Sequence, residues 1–197
     1  MAVSPARRRR AGELLDAIRA AVLEELRERG YQDVTFEGVA RRAGTSKTVL
    51  YRRFDNRADM VVDALVTARL GTPPATFDGP LREDLVRLMR GIMDRLGPEG
   101  VKTFRGVIGE VDDATVARVS GLVMAQFELW LGGILERARA AGELGPAPVP
   151  GRVVAAIVAL LRHEVFFVYG AGRPADIEGI VDEVVLPLLR TSTAAGG

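Results

Sequence analysis

The 197 residues are 48% hydrophobic, 27% charged and 6% aromatic, the profile of a globular chain with a sizeable core rather than of a disordered one. The absence of cysteine excludes disulfides, thiolate metal sites and cysteine nucleophiles, and a single histidine excludes a multi-histidine metal centre. The net charge of +1 conceals a division: residues 1–70 carry 14 Lys/Arg against 10 Asp/Glu, net +4, whereas residues 71–197 carry 13 against 16, net −3.

The chain opens on a basic stretch, Met1 to Arg10, expected as a flexible arm in which Arg7–Arg10 either reach toward a polyanion or stay simply solvated. It is not followed by an apolar segment of the secretory type, because Leu14, Leu15 and Ile18 alternate with Glu13, Asp16 and Arg19. Leu14, Leu15, Ile18, Val22 and Leu26 recur at helical intervals and Gly30 follows a charged last turn, predicting a first helix over Ala11–Arg29. Thr35 is an N-cap for a second helix ending at Ala43-Gly44, with Gly38 standing where a capping box would place Glu or Gln. Ser46 or Thr45 caps a third helix through Arg53. Asp55-Asn56 break the chain and recap a fourth, Arg57–Leu70.

The segment Gly71-Thr72-Pro73-Pro74 to Gly79-Pro80 is the clearest domain boundary. Beyond it Leu81, Leu85, Leu88, Met89, Ile92, Met93 and Leu96 form an apolar stripe that stops at Gly97-Pro98, and a shorter helix covers about Gly100–Gly109. A long helix is predicted over Asp113–Ala141, then, past a Pro/Gly segment, Arg152–Tyr169, apolar nearly all round. The last helix is expected over about Pro174–Arg190, with Pro187 loosening its final turn, and 191–197 as a flexible tail. The most apolar run, Val153–Leu161, falls well short of the roughly 20 residues needed to span a bilayer, so no membrane partner is expected and a cytoplasmic location is. The chain thus reads as all-α, with about nine helices, an N-terminal helical domain over 11–70 and a second over 80–190.

Chemistry concentrates between Thr35 and Phe54, TFEGVARRAGTSKTVLYRRF. Ala40 is small where two helices cross, Gly44 stands four residues on where a turn needs positive φ, and Leu50 plugs the pair six residues later, the spacing of a helix-turn-helix. The second helix of such a pair enters the major groove N-terminus first. Thr45, Ser46, Lys47 and Thr48 are therefore candidates for base or phosphate contact, with Lys47 suited to guanine O6/N7 and Thr48 to a thymine methyl. Tyr51, Arg52 and Arg53 lie one turn on, and Thr35 and Arg57 stand at helix starts where side chain and backbone N–H groups suit a phosphate.

From Ala17 to Leu65 this stretch resembles the TetR family of bacterial transcriptional regulators: RERGYQDVT, then VARRAG, TSKTVLYRRF and NRADMVVDAL. Three departures stand out: Gly38 for an acidic or polar residue, which is expected to loosen the second helix, Asn56-Arg57 for Ser-Lys, and Thr48-Val49 for a small residue followed by Thr. The resemblance implies a homodimer with a small-molecule pocket in the C-terminal domain and a four-helix interface built from the last two helices of each subunit. RARAAGEL and the Pro-rich turn after it also resemble the family's C-terminal domains.

In the C-terminal half Met89, Met93, Phe104, Met124, Phe127, Trp130, Phe166 and Phe167 are candidates for an apolar ligand cavity, and equally for plain core. His163 and Glu164 interrupt an apolar helix and point to a ligand, a dimer contact or solvent. No acid/base or metal constellation marks an enzyme, and no cofactor is implied. The expectation is a DNA-binding regulator, a repressor that leaves a roughly palindromic operator when a small, largely apolar ligand binds. The alternative is a regulator with no ligand, controlled by abundance or a partner protein.

Overall fold

The computed structural model describes residues 5–70, 73–169 and 172–194. Among them are nine α-helices and no strand: α1 (Pro5–Arg29), α2 (Phe36–Arg42), α3 (Lys47–Tyr51), α4 (Arg57–Leu70), α5 (Leu81–Ile108), α6 (Asp113–Ala140), α7 (Gly151–His163), α8 (Ile177–Ile180) and α9 (Leu186–Thr193). None is long and apolar enough to cross a membrane. The helices form two compact units, one of residues 1–71 with 102–119, the other of 72–101 with 120–197.

The first unit is α1–α4 joined by the end of α5 and the start of α6. The apolar stripe of α1 is its spine: Ile18 and Val22 are fully buried, and Leu14, Leu15 and Leu26 pack at the margin. Val39, Ala40, Leu50, Phe54, Met60 and Val61 close over them, and Val107 joins the same core. Burying a side chain the size of Ile18 or Leu50 contributes about 1.5–3 kcal/mol. The turn follows the sequence logic, with Gly44 at φ 63° and Ala40 buried where the helices meet. Thr35 Oγ1 accepts from Gly38 N at 3.0 Å, Ser46 Oγ from Val49 N at 3.4 Å, and Asn56 Oδ1 from Asp59 N at 2.8 Å. Between the two candidates for the second of these caps, Ser46 is the residue used.

Two features of this unit depart from expectation. α1 opens at Pro5, so the backbone of Arg7–Arg10 continues the helix instead of forming a flexible arm; Pro at a first helical position and the Ala/Arg run after it both favour this. Residues 1–4 lie outside the described set. Gly38 does not loosen α2, because it makes room for a carboxylate. Glu25 of α1 is 1% exposed, and a Cβ built on Gly38 would stand 2.8 Å from its Oε2. Arg42, at the end of α2, donates from Nε to Glu25 Oε1 at 3.1 Å and from Nη1 to Glu24 and Glu28 at 3.0 Å each. These bonds clamp α2 to α1.

In the second unit Leu81, Leu85, Leu88 and Met89 of α5 are buried, as are Leu131 and Ile134 of α6, Ile157 of α7 and Leu189 of α9. Asp84, also buried, accepts from Arg87 Nη1 and Arg137 Nη2 at 2.9 Å each and from Gly79 N at 3.2 Å, so its charge is matched. α5 is broken at Gly97, φ 58° and ψ 172°, the break predicted at Gly97-Pro98. Wide π turns at Glu164–Val168 and Val181–Val185 follow α7 and α8. The second precedes Pro187, which has no N–H to offer the carbonyl of Glu183, and a wider turn accommodates that loss. The tail expected from residue 191 is not free at its start: α9 runs to Thr193, which is fully buried and accepts from Gly145 N at 3.2 Å while donating to Leu189 O at 2.8 Å. Residues 195–197 lie outside the described set.

Candidate nucleic-acid interface

α3 presents its opening turn outward. Ser46, Lys47 and Thr48 are exposed, Leu50 alone is buried, and Tyr51 and Arg52 return to the surface one turn later. Thr45 is half-buried, its N–H donating to Ala40 O at 3.0 Å across the turn. Tyr51 is 60% exposed yet ordered by stacking on Phe36, the first residue of α2, at 4.4 Å between ring centroids. With Thr35, Val34, Glu37, Lys47 and Arg57 these rings line a concave surface of about 380 Å³. Of the residues singled out from the sequence, Thr35, Lys47, Tyr51 and Arg57 thus lie together, whereas Thr45, Ser46, Thr48 and Arg52 lie outside that lining.

Both cations of this concavity already hold a carboxylate. Lys47 Nζ donates to Glu37 Oε2 at 2.9 Å, an exposed pair in which the hydrogen bond raises the lysine's pKa and lowers the glutamate's. Arg57, a candidate for phosphate contact at the start of α4, is more firmly held. It donates to Glu110 Oε1 at 2.7 Å and to Gln32 O at 2.8 Å, with its guanidinium 4.5 Å above the Tyr31 ring. Tyr31 Oη donates to Glu110 Oε2 at 2.7 Å. Burial, reinforced by that bond, pushes the Tyr31 phenol up to about 12, and the same bond, with Arg57, holds Glu110 below the usual carboxylate range. Sequence reasoning missed Glu37 and Glu110. Glu37 was findable, two residues past the Thr35 cap on a helix that runs into α3; Glu110 is 53 residues from Arg57, with no local signal.

The residues proposed to line a ligand cavity divide. Met89 and Phe127 are buried in the second unit, with Met93 and Trp130 nearly so. His163 and Phe167 are exposed, their rings 5.7 Å apart, and Phe104 belongs to the first unit. A concavity of about 210 Å³ in the second unit is lined by Arg90, Met93, Asp94, Tyr169, Pro174, Ala175 and Ile177, so that only Met93 of the candidate set reaches it.

Two family profiles cover most of the chain. One for bacterial regulatory proteins of the tetR family matches residues 18–64, and one for the tetracyclin repressor-like C-terminal domain matches residues 74–184, more than half of the sequence. The chain belongs to the TetR family. It is therefore a helix-turn-helix, DNA-binding transcriptional regulator, with α2 and α3 as the motif. Relatives agree along its length. An uncharacterised helix-turn-helix-type transcriptional regulator of Mycobacterium tuberculosis is 30% identical over 180 residues, covering 88% of this chain and 87% of its own. The DNA-binding transcriptional repressor TetR of Mycobacteroides abscessus is 29% identical over 187 residues, covering 88% and 93%. Among solved structures, a tetR-family regulator from Streptomyces coelicolor superposes with a TM-score of 0.60 at 18% identity, covering 96% of this chain and 79% of that one. The regulator FadR from Bacillus subtilis, solved with stearoyl-CoA, gives 0.57 at 16%, covering 92% and 98%. At such identities these two share the fold.

Proposed function

We propose that this TetR-family regulator is a homodimeric repressor whose α3 helices enter successive major grooves of a roughly palindromic operator, and that a small apolar ligand bound in the C-terminal unit releases it. The reading rests first on the exposed opening turn Ser46–Thr48, which carries a donor and hydroxyls where a recognition helix meets base edges. Dimerisation is supported by apolar side chains left in solvent on the last helical segments, Phe167 at 69% and Val184 at 40% exposed. Release by an acyl-type ligand takes its support from stearoyl-CoA in the FadR structure and from the Met93, Tyr169 and Ile177 lining beside Arg90. Ligand and operator would then weaken each other's binding by one common factor.

The ligand-free alternative is favoured by one observation: about 210 Å³ is smaller than the usual ~300–1,000 Å³ of a small-molecule site. Thermal shift across long-chain acyl-CoAs, fatty acids and a metabolite panel separates the two. A compound that raises the melting temperature and lowers operator affinity supports release. No shift across the panel supports the alternative.

A further inference from the structure

Glu37 is the one carboxylate among the seven residues lining the concavity between the starts of α2 and α3. It is 68% exposed at its side chain on a face that must approach a polyanion, where an unmatched acid repels phosphate. An ion pair this exposed contributes little to folding, so stability is a poor account of its presence. Its position gives a better one. Lys47 is the first residue of α3, in the turn that reaches base edges, and Glu37 Oε2 lies 2.9 Å from Lys47 Nζ. The two atoms form a donor and an acceptor side by side, spaced as a hydrogen-bonded pair.

We propose that the Glu37–Lys47 couple is a specificity-determining element that reads a G·C pair in the major groove. Lys47 donates to guanine O6 or N7 while Glu37 accepts from the cytosine N4 amine, the only amine donor on that edge. An A·T pair reverses the fit, setting the adenine N6 amine against the ammonium and the thymine carbonyl against the carboxylate, and a T·A pair, which keeps the acceptor–donor order, sets the thymine methyl where Lys47 reaches guanine N7. At a wrong site, or on phosphate alone, the carboxylate is left facing negative charge and Lys47 must abandon it to bind. Glu37 thereby penalises non-specific binding as well as selecting a base. Arg57 does not take part, its guanidinium being spoken for by Glu110, Gln32 and the Tyr31 ring.

The inference rests on DNA reading by α3, and one experiment separates the two. Duplexes are enriched from a random-sequence library by the full-length wild type, Glu37→Gln and Glu37→Ala, and a random-sequence duplex is titrated with each protein across a salt series, with circular dichroism confirming the fold. The wild type is expected to enrich a motif with fixed G·C positions, and both variants to keep that motif while losing preference at one G·C position by about five- to a hundred-fold. Both should bind the random duplex more tightly, with a log–log salt slope steeper by about one. Variants that enrich the wild-type motif unchanged, or bind random duplex with the wild-type slope, overturn the assignment of Glu37. A wild type that enriches no motif overturns sequence reading by α3 itself, and this inference with it.

Discussion

Gly38→Ala should destabilise the first unit although it replaces glycine by the best helix former. In an open helix position the exchange stabilises by roughly 0.5–1 kcal/mol. Here the added Cβ would meet Glu25 Oε2 at 2.8 Å, Glu25 Cδ at 3.2 Å and Thr35 Oγ1 at 3.3 Å, all inside ordinary contact. The carboxylate has little room to retreat, because Glu25 is buried and is bonded to Arg42 Nε at 3.1 Å. Overpacking of this kind costs about 1–3 kcal/mol, which exceeds the propensity gain, leaving a net loss of about 1–2 kcal/mol. Urea denaturation should show it as a lowered midpoint with unchanged slope. Glu25→Ala opens the space while Arg42 keeps Glu24 and Glu28, so on that background Gly38→Ala should be neutral or stabilising, a coupling of about 1–3 kcal/mol. A Gly38→Ala protein more stable than wild type with Glu25 in place would show that Glu25 does not restrict the space at Gly38.

Gly97→Ala tests the backbone alone: nothing lies within 4 Å of the new Cβ, but φ 58° with ψ 172° is a region essentially restricted to glycine, so the melting midpoint of the second unit should fall by an amount equivalent to about 1–3 kcal/mol. The Tyr31 phenol holds its proton more tightly folded, with a value of about 12, than unfolded, near 10; its contribution is therefore complete below pH 10 and lost as pH rises through 12. The melting temperature should accordingly fall more steeply between about pH 10 and 12 in wild type than in Tyr31→Phe, and parallel profiles would contradict a phenol raised by burial and the Glu110 bond. Arg57→Ala should lower stability while leaving the salt slope of DNA binding nearly unchanged, as expected of a guanidinium already engaged by Glu110; a slope flattened by about one would return Arg57 to the phosphate contacts.

What was legible in the sequence was local. The bounds of α4, the caps at Thr35 and Ser46, the positive φ of Gly44 and the break at Gly97 each depend on residues within one turn, so spacing and residue type expose them. Partners distant along the chain were not legible. Glu25 lies 13 positions before Gly38, and no pattern links a buried acid in one helix to a glycine in the next. The same holds for Thr193 and Gly145, 48 residues apart, whose bond orders a stretch that composition reads as tail. Residues 102–119 follow a domain boundary and carry apolar periodicity, yet Val107 and Glu110 complete the first unit. Around the start of α3, Thr35, Lys47, Tyr51 and Arg57 line one concavity, and what sequence reasoning lacked was the carboxylates bonded to Lys47 and Arg57.

In the proposed mechanism the exposed start of α3 selects the DNA sequence this regulator binds. Genomic fragments captured by the wild type and by Lys47→Ala, sequenced and compared, test it most directly. A shared, roughly palindromic motif is expected for the wild type, relaxed or lost in Lys47→Ala, whose circular dichroism remains that of the wild type. Identical motifs and affinities for the two proteins would contradict it.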